Sequence, residues 1–334
     1  MGAANGFTES VSLSMEKIAL PPGRKMAKLP RKAMADQTRL ISEGAAVDEF
    51  LDELQREHEV REIAGWDTGF AALNGALDGI LPGLYVVVGR PACGKTSFAK
   101  QLLDQVVMRN DAVGVFYGFA ESKRELRIKT LARLSGMENR EIRRGSAYLL
   151  HWYGVPRLGG AETEQLSPSW ERVRRAAENA RGWLDSIFLL ECGKNTTAEV
   201  LAAQVREIRA TMDKRDVMIV IDDCQRLGAG DQPLKARLPL VTERLQSLAK
   251  DMNAALFAVW PDLRENVEVA PQAWAERALG ADVVLVMEQD LERTRRLTEP
   301  ARALNIHIVK NRGGDRGKLS FDFQPAFSRF TEVA

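Results

Sequence analysis

The chain has 334 residues, 45% hydrophobic and 28% charged, with a formal net charge of +1, which suits one large α/β domain with an appendage or two small domains. So small a net charge excludes a whole-surface basic field, so any polyanion site must be a local groove. The absence of a long apolar run excludes a membrane-spanning helix, and the N-terminus carries no apolar core of signal-peptide type.

Residues 1–44 are rich in Gly, Ala, Pro, Lys and Arg without a sustained apolar period, and LPPGRKMAKLPRKAMADQTR at 20–39 reads as a basic, proline-broken arm. It is either a solvated tail or an arm that touches DNA or a neighbouring subunit. Residues 45–62 form a second unit. Within it Val47, Phe50, Leu51 and Leu54 recur at helical spacing, with acids and Arg56 on the other face. This predicts a short amphipathic linker helix whose apolar side needs a groove on its own domain or on a neighbour.

From 63 to 334 the pattern is α/β. Apolar runs predict strands at 84–89, 112–118, 186–192, 216–223, 255–260 and 281–287. Helical spacing marks 97–109, 122–136, 197–212 and 241–253, and the polar stretch 137–182 reads as largely helical. Residues 303–323 alternate around GGDRG and predict a β-hairpin. The expected fold is α/β: a mostly parallel twisted sheet, helices on both faces, and a C-terminal β-hairpin. Ligands of such sheets bind at the carboxyl ends of the strands. Cys93, Cys192 and Cys224 are too few and scattered for a disulfide framework or a zinc site, and His58, His151 and His307 fall in no metal-ligand spacing. A reducing cytoplasm is the expected compartment.

The most specific motif follows the first strand. Gly89, Arg90, Pro91, Ala92, Cys93, Gly94, Lys95 and Thr96, then Ser97, fit G-x-x-x-x-G-K-T/S between a predicted strand and a predicted helix. The glycines let main-chain amides converge on phosphate oxygens, and the helix start adds its positive end. Lys95 supplies a cation to the β- and γ-phosphates, and the Thr96 hydroxyl is placed to hold Mg²⁺. Asp222, closing VMIVI at the tip of what should be a neighbouring strand, is the candidate for the metal's second protein contact. Asp223 should point to the opposite face if strand geometry persists. Glu121, just beyond the second strand, either orients or deprotonates the attacking water or complements a helix N-terminus.

These motifs sit in a wider resemblance. GWDTGFAALNGALDGILPGLYVVVGRPACGKTSFA resembles the entrance to the RecA-like P-loop NTPase domain of DnaB-type replicative helicases, with its T-G-F-x-x-L-D/N segment. VFYGFAES is similar to that family's F-S-L-E-M-S, IVIDDCQRL to I-V-I-D-Y-L-Q-L, and LAKDMNAALFAV to L-A-K-E-L-N-x-P-V-x-A-L. ADVVLVM and IVKNRGGDRGKLSFDFQPAFSRF resemble its closing segments, so the resemblance covers residues 63–331 in order. It implies ATP and Mg²⁺ as ligands, Lys95 and Thr96 on nucleotide and metal, Asp222 in the metal shell and Glu121 as catalytic base. It further implies that Gln225 couples the nucleotide to DNA loops, and that Lys310 and Arg312 reach across a boundary to the neighbouring subunit's γ-phosphate. From the residues alone, Lys310 and Arg312 read as solvated charges at a hairpin tip. The linker helix would dock on the adjacent subunit of a homo-oligomeric, six-membered ring.

The chain departs from the family pattern in three places. Trp260 and Pro261 stand where the family has a serine-glutamine pair, although Arg264 keeps the arginine that follows. The DNA-contacting loop reads APQAWAERALGAD, with Gln272 near the family's arginine and Glu276, Arg277 and Lys250 as the nearby polar groups. The residues before 63 are too few for a globular primase-recruiting domain. The leading expectation is an ATP-driven, ring-forming helicase or translocase core on single-stranded DNA, with its loading partner unidentified. The alternative is a nucleotide-dependent assembly or regulatory ATPase without unwinding. A third reading is a phosphotransferase that uses 137–182 as a lid and Arg143, Arg144 and Arg157 as anion clamps.

Overall fold

Continuous apolar runs become strands buried on both faces, apart from the half-buried edge strand at 187–191. In the computed structural model these are β1 (Gly83–Gly89), β2 (Val113–Gly118), β3 (Ile187–Glu191), β4 (Val217–Asp222), β5 (Ala255–Pro261) and β6 (Val283–Gln289), all parallel. The structure describes residues 63–144, 168–213, 216–228, 233–262 and 270–333, together with Ser42, Gly44, Val47, Phe50, Leu51, Asp52 and Gln55. The basic arm at 1–41, Leu54, Arg157 and Arg264 lie outside the described residues.

Three antiparallel strands, β7 (Arg302–Asn311), β8 (Gly317–Gln324) and β9 (Arg329–Glu332), extend the sheet to the order β3-β2-β4-β5-β1-β6-β7-β8-β9. The expected hairpin is β7–β8. Strand β9, RFTE, is too short to show an alternation and was not predicted.

Alternate residues of β1 enter two cores. Tyr85 and Val87 face one side with α1 (Ala71–Leu77) and α2 (Lys95–Arg109). Leu84, Val86 and Val88 face the other with α6 (Ala198–Met212), α7 (Leu234–Asp251) and α8 (Ala273–Arg277). A smaller cluster of Ile128, Ala132, Met137, Ile142 and Val173 joins α3 (Lys123–Ser135), α4 (Asn139–Arg144) and α5 (Pro168–Leu184). The last helix, α9 (Leu291–Thr294), caps the end of β6. Among the described residues no helix is long and apolar enough to cross a membrane.

Helix α7 starts at Leu234 and contains Pro239, whereas the spacing placed its start at 241. An interior proline costs ~3 kcal/mol. Burial of Leu238 and Val241 on the α7 face, at ~1.5–3 kcal/mol per side chain, offsets it.

The C-terminal strands also shape the first core. Phe323 and Phe330 stack with centroids 4.3 Å apart, and Phe98 meets Phe330 edge-on at 5.4 Å. A Cβ added at Gly94 would lie 2.9 Å from the Phe323 ring and 3.0 Å from Phe330. The loop between β1 and α2 therefore rests directly on this aromatic floor.

Candidate active site

The chain turns sharply where β1 ends. Ala92 (φ 61°) and Gly94 (φ 98°) are both left-handed, a conformation that costs a non-glycine residue energy and marks a constrained loop. A Cβ on Gly89 would come within 2.6 Å of Cys93 Sγ, so only glycine fits there. The first amides of α2 have no intrahelical acceptor, because the bond from Phe98 N–H to Gly94 O, 2.9 Å, is where the helix ladder begins. Lys95 Nζ lies across the loop and donates to Gly89 O at 2.7 Å and Arg90 O at 2.9 Å. Arg302 Nη1 braces the loop from β7 by donating to Ala92 O at 2.9 Å.

Thr96 Oγ1 donates to Asp222 Oδ2 at 2.8 Å, so the loop and the tip of β4 meet. The two strands are not neighbours, contrary to expectation, because β5 lies between β1 and β4. Thr96, in the first turn of α2, bridges that gap. Asp222 is 2% exposed. Burial pushes its carboxyl from 3.8 up to about 6, with the charges of Asp223 and Glu121 adding to the rise and the Thr96 hydroxyl and Lys95 opposing it. The neutral form is thus favoured by the fold. Its stabilisation is complete below the ordinary carboxyl value and is lost as pH rises through about 6. Asp222→Asn should therefore stabilise the nucleotide-free chain by on the order of 3 kcal/mol at pH 8 and by little at pH 4. Denaturant unfolding at the two pH values checks this, and equal effects at both would contradict it.

Strand geometry does not persist beyond Asp222. Asp223 is left-handed (φ 55°), so the expected alternation stops there. Gln225 Nε2 donates to Asp223 Oδ1 at 3.2 Å, while Gln225 Oε1 is buried without a partner.

Glu121 follows β2. The alternative role of helix-terminal acid is taken by its neighbours: Ser122 Oγ accepts from Glu125 N–H at 3.3 Å, and Glu125 is the acid of the first turn of α3. Glu121 Oε1 instead lies 3.3 Å from Lys129 Nζ, which also donates to Ser97 Oγ at 3.2 Å. Glu121 Oε2 is buried with no partner. Arg143 is engaged by Glu125 at 2.5 Å, and Arg144 is exposed.

Lys310 and Arg312 are not brought to this site. Arg312 donates to Asp282 through its amide (3.0 Å) and through Nη1 (2.9 Å), and Lys310 Nζ donates to Leu279 O at 2.7 Å. The Asp282 carboxylate accepts from Leu84 N–H at 2.9 Å, at the start of β1. The length of β1, roughly 20 Å at 3.3 Å per residue, separates them from their own phosphate loop. Lys250 closes α7 at that same far end, where the parallel strands begin.

Four further residues escaped the reading of the sequence. Lys129 lay in a helix with nothing to single it out. Asp262 N–H donates to Gly89 O at 3.0 Å, and its Oδ1 accepts from Trp274 Nε1 at 2.9 Å. The rule of searching just past each strand reaches Asp262. Trp274 and Asp282 gain their places only from tertiary packing.

An acid at the tip of β4, a glycine-rich turn after β1 and a lysine at the helix start, on this sheet order, define a RecA-like P-loop nucleoside-triphosphate-binding fold. One solved ATPase domain superposes with a TM-score of 0.69 at 17% identity, covering 86% of this chain and 99% of that one. A DnaB-like replicative helicase, solved in a study of its interactions with primase, gives 0.66 at 17% identity, over 86% of this chain and 71% of that one. The family model for the DnaB-like helicase C-terminal domain matches residues 65–332, and the chain belongs to that family. Among curated relatives, the replicative DNA helicase DnaB of Leifsonia xyli subsp. xyli is 21% identical over 310 residues, 86% of this chain and 61% of the relative. That of Treponema pallidum is 24% identical over 278 residues, 80% of this chain and 56% of the relative. The chain thus spans less than two thirds of the length of these relatives.

Proposed function

We propose that the chain is an ATP-hydrolysing motor of the ring-forming helicase type that moves along single-stranded DNA in the cytoplasm. The observation that carries this reading is the Thr96–Asp222 contact of 2.8 Å, which joins a phosphate loop to a buried acid within a chain of this family. Residues 89–97 cradle the triphosphate with main-chain N–H groups. Lys95 leaves the carbonyls of Gly89 and Arg90 for the β- and γ-phosphates. Thr96 and Asp222 hold Mg²⁺. The donor set fits: a hydroxyl and one carboxylate suit a cation that keeps several waters. Magnesium, when bound, screens negative charge on the phosphate oxygens. Glu121 orients the attacking water and takes its proton at the unpartnered Oε2, and Gln225 reads the nucleotide state through its free Oε1.

Lys310 and Arg312 complete the site of the next subunit in a hexameric ring, which makes hydrolysis depend on assembly. Residues 45–62 serve as the linker helix and 63–334 as the ATPase domain. Val47, Phe50 and Leu51, 44%, 54% and 54% exposed, supply the apolar face that a neighbouring subunit covers.

Lys129 holds one oxygen of the base and leaves the other free. Lys129→Met should lower kcat roughly tenfold with KM unchanged, and Lys129→Arg should restore it. A matching fall with both substitutions would argue against this.

A second reading has one observation in its favour. Trp260 is buried and Pro261 sits opposite Gly89, so β5 ends without a polar side chain at these two positions. That suits a regulatory ATPase that keeps the ring and does not unwind. ATP turnover with and without single-stranded DNA, at low and high salt, separates the two. Stimulation that fades with salt supports the motor, whereas turnover indifferent to DNA supports the second reading.

A further inference from the structure

Residues 270–282 link the two ends of the sheet. At the phosphate-loop end, Trp274 donates to Asp262 Oδ1 at 2.9 Å, and the Asp262 amide donates to Gly89 O at 3.0 Å. At the other end, Leu279 O accepts from Lys310 at 2.7 Å, and Asp282 accepts twice from Arg312, at 3.0 and 2.9 Å. Consecutive turns join these anchors without slack: Ala278 N–H donates to Trp274 O at 3.0 Å, and Ala281 N–H to Ala278 O at 3.0 Å. The Arg277 guanidinium lies over the face of the Trp274 ring, 5.7 Å from its centre.

The indole–carboxylate bond is not a by-product of burying tryptophan. Trp66, Trp260 and Trp274 are all buried, yet Nε1 of Trp66 and of Trp260 has no partner. Of these three, only Trp274 has its N–H met by a carboxylate, and that carboxylate belongs to the residue whose amide grips the first carbonyl of the phosphate loop.

We propose that Trp274 and Asp262 are positioning residues that tie segment 270–282 to the phosphate loop, so that Lys310 and Arg312 shift together with the nucleotide site of their own subunit. Filling that site moves Gly89, and the displacement passes through Asp262 and Trp274 to Leu279 and Asp282. The cations offered to the next subunit are then set by the occupancy of this one. The proposal rests on the nucleotide and cross-subunit roles proposed above.

The test uses the full chain and three variants. Trp274→Phe keeps the aromatic packing and removes the N–H, Asp262→Ala removes the acceptor, and Asp262→Asn keeps it. Hydrogen exchange is followed at the Arg312 amide and at the first turn of α2, with and without magnesium and a non-hydrolysable ATP analogue. In the natural chain the analogue should slow exchange at both places. In Trp274→Phe and Asp262→Ala the slowing should persist at α2 and fall roughly fivefold or more at Arg312, while Asp262→Asn behaves as the natural chain. In turnover, kcat of Trp274→Phe should drop roughly tenfold with KM within about twofold. The proposal is overturned if Trp274→Phe keeps the nucleotide-driven slowing at Arg312, if the natural chain shows none, or if Asp262→Asn matches Asp262→Ala. A chain that protects α2 but never hydrolyses ATP would refute the motor reading alone, because the exchange result still decides this proposal.

Discussion

Lys95→Ala is expected to abolish ATP hydrolysis, with a loss of at least roughly 10²–10³-fold, the cost of removing one preorganised donor from a transition state. Two effects add. Among the described residues, the ammonium is the only side-chain cation that donates to the loop's own carbonyls at Gly89 and Arg90, in the loop proposed to hold the phosphates. Its charge also opposes the upward push on Asp222. Without it the carboxyl stays neutral to higher pH, and an acid that holds its proton is a poor magnesium ligand. The folded chain itself should be little affected, because the bond to Arg90 O is exposed and Gly89 O keeps a second donor in the Asp262 amide. Steady-state turnover of the purified variant checks the prediction, and hydrolysis within tenfold of the natural chain would contradict it.

Arg312→Ala should lower hydrolysis by roughly 10³–10⁵-fold, the range for a charge-neutralising arginine supplied to phosphoryl transfer, while nucleotide binding stays nearly intact. The side chain is 73% exposed, and its ion pair with Asp282 is worth at most ~1 kcal/mol at the surface. Truncation therefore leaves fold and phosphate loop in place. The decisive comparison mixes Arg312→Ala chains with Lys95→Ala chains. Each is inactive alone, but a mixed ring regains interfaces with one intact phosphate loop and one intact arginine. Recovered turnover in the mixture supports supply from the neighbour. Normal turnover by Arg312→Ala on its own would rule that supply out.

What could be read from the residues divides along physical lines. The strands at VVVG and VMIVI and the helix opened by Lys95 follow from local patterns, and the structure has them. Strand order does not follow from period, so Asp222 was expected on a strand next to β1 and lies one strand further away. The start of α7 was hidden by Pro239, a breaker in isolation whose cost the second core outweighs. Lys129 and Trp274 look like any helix lysine and any buried tryptophan until α3 and α8 dock.

Everything proposed for this chain depends on its holding a magnesium–nucleotide complex between the loop at 89–97 and Asp222. Titration calorimetry of the purified protein with ATP and magnesium addresses that directly. One nucleotide should bind per chain, with the heat lost on chelation of the metal or in Asp222→Ala. Saturating ATP that yields no binding heat across several temperatures, from a folded preparation, would contradict it.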